Sequence, residues 1–114
     1  MGTAVEEPGL DAVFAALSDR TRRGIVARLS AGEATVTELA EPYAMSMQAV
    51  SQHIRVLERS GLLSQGRDGQ TRPCRLEPAV LDAALSWIEE SRRTWSDRMD
   101  RLETHLAGLQ SEKP

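Results

Sequence analysis

Cysteine is almost missing from this sequence: Cys74 stands alone, so no disulfide can close within one chain. With two histidines, His53 and His105, the soft metal ligands are equally sparse, and a four-ligand site inside one chain would have to draw on carboxylates. A reducing, cytoplasmic compartment is the corresponding expectation. Aromatic residues amount to 4%, and no apolar run approaches the ~18 residues that a membrane helix needs. Residues 1–8 carry Glu6 and Glu7 and no basic, apolar leader, so they do not read as a secretory signal.

What is present is 114 residues, 40% hydrophobic and 27% charged, enough for one small domain and an appended helix. The net charge of −3 is unevenly spread. Residues 1–43 hold four arginines against seven acids, and residues 77–114 five basic residues against eight acids. Between them, residues 44–76 hold Arg55, Arg59, Arg67, Arg72 and Arg75 against Glu58 and Asp68. A basic middle between acidic ends presents one positive surface to an anion, although arginines that merely solvate a helix and a hairpin would look the same.

Residues 1–8 have no periodicity and read as a disordered arm ending at Pro8-Gly9. Leu10, Val13, Phe14 and Leu17 then share one helical face up to about Ser18. Asp19 is suited to cap a second helix, Arg20 to Ser30, with Ile25, Val26 and Leu29 inward and Gly32 placed for a left-handed C-terminal cap. Thr35 and Glu38 have capping-box spacing and open a brief helix that faces Val36, Leu39 and Ala40 inward. A three-residue turn, Tyr43-Ala44-Met45, leads to a new cap at Ser46 and a helix from Met47 to Ser60, ended by Gly61. Short helix, turn, capped helix is the helix-turn-helix order. Asp68-Gly69 between two short strands predicts a two-residue hairpin with a basic tip, and Pro73 predicts a sheet-edge strand.

From Pro78 to Gln110 the pattern is helical throughout. Leu81, Leu85, Ile88, Trp95, Met99, Leu102, Leu106 and Leu109 step by threes and fours, with Arg92 the polar intruder. Such a helix reaches roughly 50 Å, more than a small core covers, so the half from Trp95 onward needs a partner. A second copy of the chain is the simplest supply. The expected fold is mainly α, a winged helix-turn-helix in the order α-α-α-α-β-β-α. Its divisions are an arm (1–8), a DNA-binding domain (9–77), a dimerisation helix (78–110) and a tail (111–114).

The inventory for catalysis fails. His53 and Ser51 lie two residues apart on one helix, where side chains diverge, and neither has an orienting acid in a nucleophile–base arrangement. Gly66-Arg67-Asp68-Gly69 lacks the spacing and the lysine of a phosphate loop. No enzyme and no cofactor are therefore expected. With Val50, Ile54 and Leu57 inward, the other face of the Met47–Ser60 helix carries Gln48, Ser51, Gln52 and Arg55, donors and acceptors suited to base edges in a major groove. Ser46 and the backbone amides at the helix start suit a phosphate. The competing reading is a protein-interaction module that docks a different protein along the last helix.

Residues 15–23 (AALSDRTRR), 36–40 (VTELA) and 49–57 (AVSQHIRVL) resemble, in that order, the ArsR-type family of bacterial winged-helix repressors. The resemblance implies a homodimeric regulator that binds an imperfect promoter palindrome. It places Met47, Gln48, Ser51, Gln52 and Arg55 in the recognition helix and Arg67, Gln70 and Arg72 in the wing. Dimerisation through the first and last helices, also implied, assigns Leu10, Phe14, Leu85, Ile88, Trp95, Met99, Leu102 and Leu106 to the interface. Metal-sensing members carry two cysteines around a valine in the short third helix. Thr35 and Thr37 stand there instead, and the last helix lacks paired ligands, so no metal is expected and the chain looks like a metal-free branch. Cys74 reads as a small half-buried residue, and a repressor that senses a metal, through a site shared between subunits, or a thiol oxidant is the alternative.

Overall fold

The computed structural model describes residues 2–66 and 72–111, and of residues 2–8 the backbone alone. The elements run α1 (Gly2–Ala16), α2 (Arg20–Leu29), β1 (Ala34–Thr35), α3 (Val36–Ala40), α4 (Met47–Ser60), β2 (Leu63–Gln65), β3 (Pro73–Leu76) and α5 (Pro78–Ser111). Two compact units result, one up to Ala84 and one from Leu85 onward.

The helix boundaries follow from side chains that satisfy the free amides of the first turn. Asp19 accepts from Arg22 N–H, and Ser46 from Ala49 N–H. Thr35 and Glu38 close the reciprocal capping box. Pro78 opens α5, where its missing N–H costs nothing. Gly61 ends α4 at φ 87°, the left-handed region, with its N–H on the Glu58 carbonyl. A Cβ there would also sit 3.2 Å from a Val80 methyl. Gly61→Ala is therefore expected to lower the unfolding free energy by about 1–2 kcal/mol, read as a fall in urea midpoint at unchanged slope.

Several expectations need correction. The first helix begins at Gly2, not after a disordered arm over residues 1–8. Helical backbone does not require an apolar stripe, so the absence of periodicity did not report the conformation of these residues. Past α2 the C-cap is Ser30 in the right-handed region, and Gly32 adopts φ 148° rather than forming a left-handed cap. The stretch between α3 and α4 covers 41–46, longer than the three-residue turn expected, because the helix stops at Ala40, ahead of Pro42.

The wing also differs. Its sheet has three antiparallel strands in the order β1-β3-β2, which makes β3 the middle strand. Pro73 is tolerated there because it is the first residue of the strand, where its carbonyl still accepts from Gly66 N–H at 2.8 Å. The Asp68-Gly69 turn lies outside the described residues. A two-residue loop on those positions would pair Gln65 with Arg72, whereas the partner of Gln65 is Cys74. The observed register sets Leu63 opposite Leu76.

Helix α4 is the hub of the first unit: it packs against α1, α2, α3 and β2. Val50, Ile54 and Leu57 are at most 1% exposed and meet Val13, Ile25, Leu29, Leu39 and Leu62 in one core. Gly24 lets the hydroxyl end of Tyr43 lie directly on α2, where a Cβ would collide with it. Cys74 is fully buried in this core rather than half-buried, since its side of β3 faces the helices.

Candidate nucleic-acid interface

Burying one side of α4 aims the other outward. Ser46, Met47, Gln48, Gln52, Arg55 and Arg59 are exposed, and Ser51 is half-buried at the margin. The side chains of Gln48, Gln52 and Arg55 make no hydrogen bond or ion pair within the described residues. Their donors and acceptors are thus uncommitted, as readout of base edges requires. Ser46 is partly committed: its Oγ accepts from Ala49 N–H at 3.1 Å, which leaves its hydroxyl proton to donate. In the wing, Arg72 is exposed, while Arg67 and Gln70 lie outside the described residues. Arg75 is exposed and lies 3.9 Å from Glu33, a pair too solvated to contribute much.

Two other arginines are occupied inside the fold. Arg22 Nε donates to the Ala16 carbonyl at 2.7 Å, and a second guanidinium nitrogen donates to Ala15 at 3.2 Å. Its third nitrogen donates to His53 Nδ1 at 3.1 Å, the histidine being the acceptor because guanidinium nitrogens only donate. Arg23 donates to the Leu17 carbonyl at 2.9 Å. Arg22 therefore closes the C-terminal end of α1 and ties it to α4, a role sequence reasoning missed. The available signal was the placement of His53 between the inward and outward faces of α4.

The Arg22 N–H bond holds the Asp19 carboxyl below its ordinary value; partial burial opposes this, and the nearby charge of Arg22 adds to the lowering. Glu38 is lowered too, first by the Thr35 backbone N–H and then by the Thr35 hydroxyl. Carboxyls depressed on folding stabilise fully above their unfolded values, and that contribution is lost as pH falls through the folded ones. The urea midpoint is therefore expected to hold between about pH 7 and 5 and to drop below about pH 4. Asp19→Asn keeps the cap and removes one titration, so its acid drop should be shallower; an identical profile would dismiss Asp19 as a contributor.

Burial pushes the Cys74 thiol up, Glu58 pushes it the same way, and a hydrogen bond from Gln65 opposes them. A buried thiol with little thiolate at neutral pH is a poor redox sensor. Among the described residues, no three His, Cys, Asp or Glu side chains gather as a metal site. Thr35 is engaged in the capping box.

In the second unit, Leu85, Ile88, Trp95, Met99, Leu102 and Leu106 are 36–59% exposed along α5. Leu10 and Phe14 are half-buried on α1. No helix among the described residues is long and apolar enough to cross a membrane.

A capped helix with an uncommitted polar face, preceded by a short helix and followed by a basic strand pair, defines a winged helix-turn-helix protein. A helix-turn-helix domain family matches residues 17–65. The transcriptional repressor SdpR of Bacillus subtilis is 34% identical over 76 residues, 67% of this chain and 84% of its own. An HTH-type transcriptional regulator of Mycobacterium tuberculosis is 42% identical over 86 residues, 75% of this chain and 78% of its own. The arsenical resistance operon repressor of Escherichia coli is 33% identical over 83% of this chain and 82% of its own. Among solved structures, an ArsR family transcriptional regulator superposes with a TM-score of 0.74 at 38% identity, covering 79% of this chain and 93% of that one. An ArsR-like regulator from Rhodococcus sp. RHA1 gives 0.73 at 29% identity, covering 91% and 95%. The chain belongs to the ArsR family of winged helix-turn-helix transcriptional regulators.

Proposed function

We propose that the protein is a cytoplasmic, homodimeric, metal-independent repressor that binds a pseudo-palindromic promoter site. Each protomer lays α4 in a major groove and its basic wing along the adjacent backbone, with the two recognition helices one turn, ~34 Å, apart. The observation that carries this is the division of α4: Val50, Ile54 and Leu57 locked in the core, Gln48, Gln52 and Arg55 free outside it. Glutamine suits adenine, and arginine suits guanine. The apolar stripe of α5 supports a second copy as the partner that sets the spacing. Threonine at positions 35 and 37 supports a metal-free mode, since neither hydroxyl binds a soft metal.

The test is retardation of promoter fragments across a salt series. Affinity should fall by about 0.9 log unit per log unit of salt for each phosphate neutralised. Gln52→Ala should cost about 1–3 kcal/mol on the preferred site and blunt discrimination, whereas Arg72→Ala should weaken all sequences alike. No retardation of any fragment, together with capture of a different protein by α5, would favour the interaction-module reading instead.

A further inference from the structure

Among the described residues of the unit up to Ala84, large apolar side chains are buried or half-buried, with one local exception. Met45 is 36% exposed and Met47 48% exposed, and among the described residues every other large apolar side chain left so open lies on α5, from Leu85 onward. The two methionines flank Ser46, the cap of α4, so one stands just before the helix and the other is its first residue. A single exposed apolar residue needs no explanation. Two on either side of a helix start, continuous with the free polar face at Gln48, do, because the first residues of a recognition helix are the ones that reach base edges.

Resting on the DNA-binding reading above, we propose that Met45 and Met47 read the 5-methyl groups of thymines, so that the preferred half-site has thymine where the start of α4 enters the groove. The thymine methyl is the apolar feature that a major groove offers, and it distinguishes thymine from cytosine without a hydrogen bond. A thioether chain with three rotatable bonds adapts to such a methyl better than a branched side chain. Neither methionine carries a polar group that a base would leave unpaired. Gln48 and Gln52 then supply hydrogen-bonding readout to the base pairs that follow.

The experiment uses the full chain and a duplex selected from fragments of the source genome. Thymines in each half-site are replaced one at a time by deoxyuridine, which deletes the methyl and keeps every hydrogen-bonding group. The unsubstituted protein should bind about four-fold more weakly for each contacted methyl removed. Met45→Ala and Met47→Ala should each lose the thymine–uracil distinction at one position, and Met47→Leu should keep it. Equal binding of every deoxyuridine duplex overturns the inference, as does a distinction that survives the double alanine variant. If Gln52→Ala still blunts discrimination in that case, the reading of α4 stands and the methionine assignment alone fails. If no duplex is retarded at all, both fall together.

Discussion

Leu57→Ala is expected to remove about 2–5 kcal/mol of unfolding free energy and to abolish DNA retardation near the melting temperature of the variant. Leu57 is 0% exposed, in the last turn of α4, the helix that packs against α1, α2, α3 and β2. Truncation leaves a cavity that α1, α2 and β2 cannot all close, because each is already packed against other core residues. Total stability for a domain of this size is roughly 5–15 kcal/mol, so the loss is a large fraction of it. At about 4–8 °C per kcal/mol, the melting temperature should fall by at least about 8 °C. Arg55→Ala, two residues away on the free face, should shift stability by less than about 0.5 kcal/mol while weakening DNA. The pair separates the two sides of one helix. A Leu57→Ala variant within 1 kcal/mol of the parent, on the scale of a surface change, would mean that the core is not where the structure places it.

The second large effect concerns α5. Trp95→Asp combined with Leu102→Asp is expected to convert dimers into single chains and to lower operator affinity by a factor of about 10²–10⁴, the gain that joining two half-site readers supplies. Trp95 and Leu102 are 59% and 47% exposed, and between them Met99 continues the stripe at 36%. A contiguous apolar face of this length marks an interaction surface. Two carboxylates buried per chain, each unpaired, cost far more than the apolar contacts they replace. Sedimentation reads the assembly and gel retardation the affinity. Intact dimers, or single chains that bind the full site undiminished, would refute the role given to this face.

Local features of this protein were legible in its residues because they depend on neighbours three or four positions apart. Asp19, Thr35 with Glu38, Ser46 and Gly61 all stand where their chemistry puts a helix end. The division of α4 into a buried and a free face was equally plain, since it needs only helical periodicity. Strand β1 was not legible: two residues carry no period, and Ala34 becomes a strand only because Cys74 lies opposite it. The central position of Pro73 was hidden for the same reason.

Arginine makes the contrast sharpest. By sequence alone, Arg22 and Arg55 are two basic side chains flanking apolar helical faces. Contacts between distant segments separate them: the α1 carbonyls and His53 consume Arg22, and nothing among the described residues consumes Arg55. The order of residues determined where each helix begins, which side it buries and that α5 carries an apolar stripe, because these are short-range properties. Tertiary structure decided which polar groups remain free, how the wing strands align and that Cys74 is sealed in the core, because those outcomes depend on what the fold brings alongside.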